Sequence, residues 1–223
     1  VAYSNAGVVL VGSHSGLAIG KDGATQMGID DLNAISGIPN MEIYSPADHI
    51  EAKAMVDHIV QSNKPLYLRI SRRPVPAVHN EDYRFIPGKA EVLLDGGNSS
   101  IISIIATGDM VYYALQSSKY LQQQGINVDV VNISTINPLD KNTILDYAYK
   151  RKGIVTLEDH GIIGGLGTRV SELIAENGLP VKVLRHGIKG FGESGDPEDL
   201  YRKHDLDAEG ITRIINNLYK TLN

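Results

Sequence analysis

Val8-Val9-Leu10-Val11-Gly12-Ser13-His14-Ser15-Gly16-Leu17-Ala18-Ile19-Gly20-Lys21-Asp22-Gly23 is the stretch whose reading decides the fold. Four consecutive apolar residues read as a strand buried on both faces, as in a parallel sheet. A glycine-rich loop follows its end, where α/β sheets place their ligand sites. Beyond it a helix is expected from about Thr25 to Ser36, closed by Gly37 and Pro39. A strand at Met41–Tyr44, a helix from Pro46 to about Gln61 and a strand at Leu66–Ile70 complete the unit. This alternation implies parallel strands with right-handed crossovers.

From Ser71 to Asn98 the pattern breaks. Pro74, Pro76, Pro87 and Asp95-Gly96-Gly97-Asn98 punctuate a connection that carries a short strand at Ala90–Leu94. A second α/β unit then starts with Ile101–Ala106. Met110, Tyr113, Ala114, Ser117 and Leu121 mark one face of a helix ending at Gly125. A strand at Val128–Ile133, a helix from Pro138 to about Lys152 and a strand at Gly153–Leu157 follow. Gly164-Gly165-Leu166-Gly167 opens a helix ending near Gly178, Val181–Leu184 is a further strand, and Ile211, Ile214, Ile215, Leu218 and Leu222 stripe a closing amphipathic helix. The fold class is α/β, with two domains of mainly parallel sheets flanked by helices: 1–72, a linker 73–98, and 99–223.

With 223 residues, 42% hydrophobic, the chain is long enough for two modest cores. Its net charge of −5 is spread among mixed acids and bases, which argues against a nucleic-acid partner. No cysteine is present, so disulfides, thiolate metal sites and a cysteine nucleophile are excluded, which fits a reducing, cytoplasmic setting. No apolar run reaches the roughly 18 residues of a membrane span. The opening on Val1, almost directly on a strand, suggests residues missing upstream.

The loop joins a base to an acid. Its glycines let the backbone approach a ligand closely. His14 offers a ring that donates to phosphate or polarises a hydroxyl near neutral pH, and Asp22 accepts hydrogen bonds from hydroxyls. Such a loop suits a ligand with hydroxyls at one end and phosphate at the other.

The run from His14 to Gln26 closely resembles the glycine-rich motif of the transketolase pyrimidine-binding domain. Ile38-Pro39-Asn40, Ser45-Pro46-Ala47-Asp48 and Tyr67-Leu68-Arg69-Ile70-Ser71-Arg72 follow in that family's order. Ala106-Thr107-Gly108, Glu158-Asp159-His160, Gly164–Gly167 and Phe191-Gly192-Glu193-Ser194-Gly195 resemble its C-terminal domain. The resemblance implies that residues 1–72 are an N-terminally incomplete pyrimidine domain and 99–223 the C-terminal domain. It implies that His14 and Arg72 hold the sugar phosphate, Asp22 binds a sugar hydroxyl, and Gln26 lies beside the reactive carbon of thiamine. Arg73 is adjacent, so the phosphate role could fall on either arginine. Lys21 stands where many relatives carry glutamate, and is read as facing solvent.

The implied cofactors are thiamine diphosphate and Mg2+, held mainly by an N-terminal partner subunit that carries the diphosphate-binding domain. The glutamate and aromatic residues that the family uses on the aminopyrimidine precede the histidine loop by tens of residues, and only thirteen residues stand before His14 here. The implied activity is transfer of a two-carbon ketol unit between sugar phosphates, in a two-plus-two assembly. The alternatives are deoxyxylulose-phosphate synthase (whose loop usually starts aspartate–arginine), another thiamine-enzyme subunit, or a non-catalytic assembly subunit. Gly164–Gly167 is read as close strand–helix packing rather than a phosphate cradle. Glu158, Asp159 and His160 are read as structural or at an interface, and Phe191–Gly195 as a structured loop. His58, His79, His186 and His204 are expected at surface or satisfied positions.

Overall fold

The computed structural model describes residues 1–222. In chain order the elements are β1 (Val9–Ser15), α1 (Asp31–Ser36), β2 (Glu42–Tyr44), α2 (His49–Ile59), β3 (Leu66–Ser71), β4 (Glu91–Leu94), β5 (Ile102–Ala106), α3 (Met110–Gln123), β6 (Val128–Asn132), β7 (Thr135–Asn137), α4 (Lys141–Lys150), β8 (Gly153–Gly161), α5 (Leu166–Glu176), β9 (Lys182–Ile188), α6 (Pro197–Lys203) and α7 (Ala208–Leu222). They build two sheets, ordered β1-β3-β2-β7 and β4-β6-β5-β8-β9. Every pairing is parallel except β2 with β7 and β4 with β6. The expected α/β fold with two mainly parallel sheets is the one observed.

The sheets exchange strands across the connection. The strand β4, within 73–98, is the outer strand of the second sheet, while β7, within 99–223, closes the first. The core follows the same pattern. Ile102, Ile104, Val128 and Val155 share one cluster with Leu121 and Ile215, and that cluster reaches into the first unit through Leu17, Met27 and Ala47. Ile105, Val131 and Ile154 turn the other way, toward Ile144, Val170 and Leu173. Hydrophobic burial therefore joins the two units through a shared core.

Three expectations need correction. The run Val8–Val11 is not buried on both faces: Val9, Leu10 and Val11 are 36%, 40% and 59% exposed. The reason is position, because β1 is the outer strand of its sheet, with β3 as its neighbouring strand. The helix expected from Thr25 is absent before Asp31; 3₁₀ turns at Gly16–Asp22 and Ala24–Gln26 take its place. There the backbone is spent otherwise, with Ser15 bridging Gly28 and the Gly16 N–H donating to the Gly28 carbonyl at 2.9 Å. Finally, β7 and α6 have no counterpart in the sequence pattern, and β8 and β9 run on to Gly161 and Ile188. These extensions carry chain from the second sheet over the end of the first.

A buried clasp fixes the connection. Asp48, which caps α2 through the Glu51 N–H, also accepts from the Val78 and His79 N–H groups at 2.7 and 2.9 Å. The His79 ring bridges Asp48 Oδ2 at 2.9 Å and Glu91 Oε2 at 3.0 Å. Burial alone would lower the ring's pKa, yet hydrogen bonds to Asp48 and then Glu91 raise it to about 10. His79 is thus a satisfied histidine, as is His186, whose Nε2 lies 2.8 Å from the Asp205 carbonyl. His204 departs from that expectation, since its Nε2 is buried with no partner.

Candidate active site

Parallel pairing brings the carboxyl ends of β1 and β3 side by side, with Ser15 opposite Ser71. His14 precedes the first of these serines and Arg72 follows the second. Between Gly12 and Ser15 the register slips, because β1 takes three steps where β3, from Arg69 to Ser71, takes two. Such a bulge re-aims a side chain. His14 sits in it at φ +65°, a left-handed conformation rare outside glycine and common at functional sites. Its exposed ring has Nδ1 2.7 Å from Ser13 Oγ.

After Ser15 the chain turns sharply at Gly16, φ +70°, directly beside the Asp159 carboxylate. A Cβ there would lie 2.0 Å from Asp159 Oδ2. Asp159 uses both oxygens on the Leu17 N–H, at 3.0 and 3.2 Å. Gly16→Ala therefore combines left-handed strain, of about 1–3 kcal/mol, with expulsion of that carboxylate. We expect its thermal midpoint to fall by several degrees in a calorimetric scan, at about 2–4 °C per kcal/mol for a chain of this size.

At the far end of the loop, Asp22 Oδ2 accepts from Arg72 Nη1 at 3.2 Å, both side chains being about half exposed. A pair so wetted is worth about 0–1 kcal/mol, so it holds the guanidinium in place while leaving it free to exchange partners. Arg73 is committed elsewhere. Its Nη2 lies 2.8 Å from Glu198 Oε1, and its guanidinium sits over the Tyr201 and Tyr113 rings. Of the two arginines, Arg72 is the one turned to the loop. Gln26 ends the next turn with an exposed side chain, and its neighbours Thr25 and Met27 line a cavity of about 790 Å³. Lys21 is 80% exposed in its side chain, as expected, with Asp196 4.0 Å away. The structure thus joins Asp22 to Arg72 directly and sets His14 on the adjoining strand end; Gln26 lies past the loop.

Beneath the loop is a buried polar layer whose roles are not apparent from residue types alone. Arg69, 4% exposed, donates to Asp31 at 2.9 Å and to the Gly28 and Asp159 carbonyls at 3.0 and 2.9 Å. Tyr201 donates to Asp159 Oδ2 at 2.5 Å. Glu158 accepts from the Leu166 and Gly167 N–H groups at the start of α5, so the helix end that resembles a phosphate cradle holds an internal carboxylate instead. Gly165 and Gly167 have no room for a Cβ against Glu158 and Thr156. Close packing is the role of this turn, and Asp159 lies at the interface between the two units. Burial, followed by Arg69, lowers His160 to about 4, so it is neutral.

Asp109 is the other residue that the sequence left unmarked, although it follows Ala106-Thr107-Gly108 at the start of α3. It lines a cavity of about 400 Å³ with Ser71, Arg72 and Arg73, and its Oδ2 has no partner. Burial raises its pKa to about 7 despite a hydrogen bond from Ser71. The folded state therefore binds this proton more tightly than the unfolded chain, so the contribution is stabilising at low pH and declines as pH rises from about 4 to 7. Asp109→Asn should then raise the thermal midpoint at pH 8 and leave it little changed at pH 4, which melts at the two pH values would measure.

Comparison with known proteins gives this geometry a family. The model of the transketolase pyrimidine-binding domain matches residues 1–77, and that of the transketolase C-terminal domain matches residues 88–211. The chain belongs to the transketolase family. One of the subunits of the apulose-4-phosphate transketolase of Actinobacillus succinogenes is 34% identical over 98% of this chain and 70% of that protein. A putative transketolase C-terminal section of Methanocaldococcus jannaschii is 38% identical over 96% of this chain and 67% of that one. Among solved structures, a split-gene transketolase described as an inactive beta4 tetramer superposes with a TM-score of 0.87 at 31% identity, covering 96% of this chain and 68% of that one. Among the described residues no helix is long and apolar enough to cross a membrane.

Proposed function

We propose that this chain is the C-terminal subunit of a two-subunit transketolase and supplies the sugar-phosphate side of its active site. The observation that carries this reading is the Asp22–Arg72 pair at the carboxyl end of the sheet, beside a bulge in which His14 takes a left-handed backbone conformation. Arg72 leaves Asp22 to grip the substrate phosphate, for which a guanidinium fork is well shaped. The freed Asp22 carboxylate accepts from a sugar hydroxyl. His14 donates to the phosphate or to a neighbouring hydroxyl. Binding at the phosphate orients the reacting end of the sugar, so that remote contacts are used for positioning.

Thiamine diphosphate, when bound, supplies the carbon–carbon cleavage that releases a two-carbon ketol unit for an aldose phosphate. The exposed amide of Gln26, flanked by the residues of a roomy cavity, fits a place beside its reactive carbon. We assign the diphosphate and Mg2+ mainly to an N-terminal partner subunit, the assembly to two copies of each chain, and the setting to the cytoplasm. We divide the chain as 1–72, 73–98 and 99–223, the last being the transketolase C-terminal domain.

Reconstitution tests the proposal. Mixed with a thiamine-binding N-terminal subunit, thiamine diphosphate and Mg2+, the chain is expected to support ketol transfer from fructose 6-phosphate to an aldose phosphate. Consumption of pyruvate instead would assign it to the synthase or dehydrogenase branch. No catalysis with any partner would favour a purely assembling role.

A further inference from the structure

We infer that the Ser194–Tyr201 segment of the second domain positions the Asp22–Arg72 pair, with Ser194 and Glu198 as its two points of grip. The inference rests on the substrate role proposed above. It arises from the Phe191–Gly195 stretch, which has no part in the chemistry and yet packs on the loop that does.

Each half of the pair is tied through its chain neighbour. Ser194 Oγ donates to the carbonyl of Lys21, adjacent to Asp22, at 2.6 Å. Glu198 accepts from Arg73, adjacent to Arg72, at 2.8 Å. The contact between is too close for ordinary side chains. A Cβ on Gly20, which has φ +68°, would lie 2.9 Å from Pro197, and one on Gly192 would lie 2.2 Å from Met27 Sδ. Behind this surface Tyr201 fills the space between the Arg73 guanidinium and Asp159, the residue that holds the loop's first amide at Leu17. The segment therefore holds the Asp22 end of the loop through Ser194 and reaches Arg72 through Arg73, while Asp159 of β8, backed by Tyr201, holds the Leu17 end. Neither Ser194 nor Glu198 bonds Asp22 or Arg72 itself, so these are positioning residues rather than catalytic ones.

The deletion of one neutral hydrogen bond, worth about 0.5–1.5 kcal/mol, sets the scale at roughly three- to tenfold. In Ser194→Ala, the amides of Leu17–Gly23 should exchange with deuterium three- to tenfold faster in the full chain, while those of α7 keep their rates. In the reconstituted two-subunit enzyme, kcat/KM for fructose 6-phosphate should fall by a similar factor. Ser194→Thr, which keeps the hydroxyl, should restore both. On an Arg72→Ala background, Ser194→Ala should add less than about twofold, since residues acting through one contact are not additive. Unchanged loop exchange, or a kcat/KM effect that adds fully to that of Arg72→Ala, would overturn the inference. An inactive wild-type enzyme would instead remove the functional reading, and loop exchange alone would then decide whether the grip exists.

Discussion

Replacing Arg69 with alanine is expected to destabilise the chain by about 3–5 kcal/mol, the usual cost of leaving a buried charge without its partner. On the scale of a 223-residue chain this is a fall of roughly 6–20 °C in thermal midpoint. Arg69 reaches Asp31, the Gly28 carbonyl and the Asp159 carbonyl together. Asp31 is held below the usual carboxylate range although burial pushes the other way, because Arg69 stands beside it. Without the guanidinium, Asp31 keeps the Tyr67 hydroxyl at 2.8 Å and the more distant His160 ring. Arg69→Met with Asp31→Asn should recover part of the loss, since it removes both charges while keeping volume. Thermal melts of the wild type and these two variants decide the matter, and a change below about 1 kcal/mol for Arg69→Ala would show that solvent reaches this layer.

Arg72→Ala should act on binding and spare the fold. A charge-assisted hydrogen bond contributes about 1.5–3 kcal/mol, so KM for a phosphorylated ketose should rise roughly ten- to hundredfold with little change in kcat. Asp22→Ala should instead lower kcat and weaken discrimination among sugar hydroxyls. The exposure of both side chains means that neither change disturbs a buried charge. Arg73→Ala is the informative contrast. Its partners are Glu198 and two tyrosine rings, so its effect on KM should be smaller and should be accompanied by some loss of stability. Steady-state kinetics on the reconstituted enzyme separate the three.

Much of this was legible in the sequence because parallel α/β architecture writes its strands as short apolar runs and its ligand loops as glycine clusters. Ile101–Ala106 and the stripe from Ile211 to Leu222 fall where the pattern placed them, and the His14–Asp22 loop ends at an aspartate that meets Arg72 fifty residues on. Local pattern misleads where tertiary position decides. Val8–Val11 reads as doubly buried, yet an apolar run does not reveal whether it has one neighbouring strand or two. Thr25–Ser36 has helical composition, but the pairing of Ser15 with Gly28 occupies backbone that a helix would need. The least visible part was the support. Asp159, Ser194 and Glu198 lie more than a hundred residues from the groups they hold, and nothing in residue type or spacing ties Ser194 to the Lys21 carbonyl.

The most direct measurement is the donor KM of the reconstituted wild-type enzyme for fructose 6-phosphate beside that for fructose. If Arg72 and His14 form the phosphate grip, the phosphorylated sugar should bind at least about tenfold more tightly, and Arg72→Ala should erase most of that advantage. Equal KM values for the two sugars, or an advantage that survives Arg72→Ala, would contradict the assignment of this loop as the sugar-phosphate site.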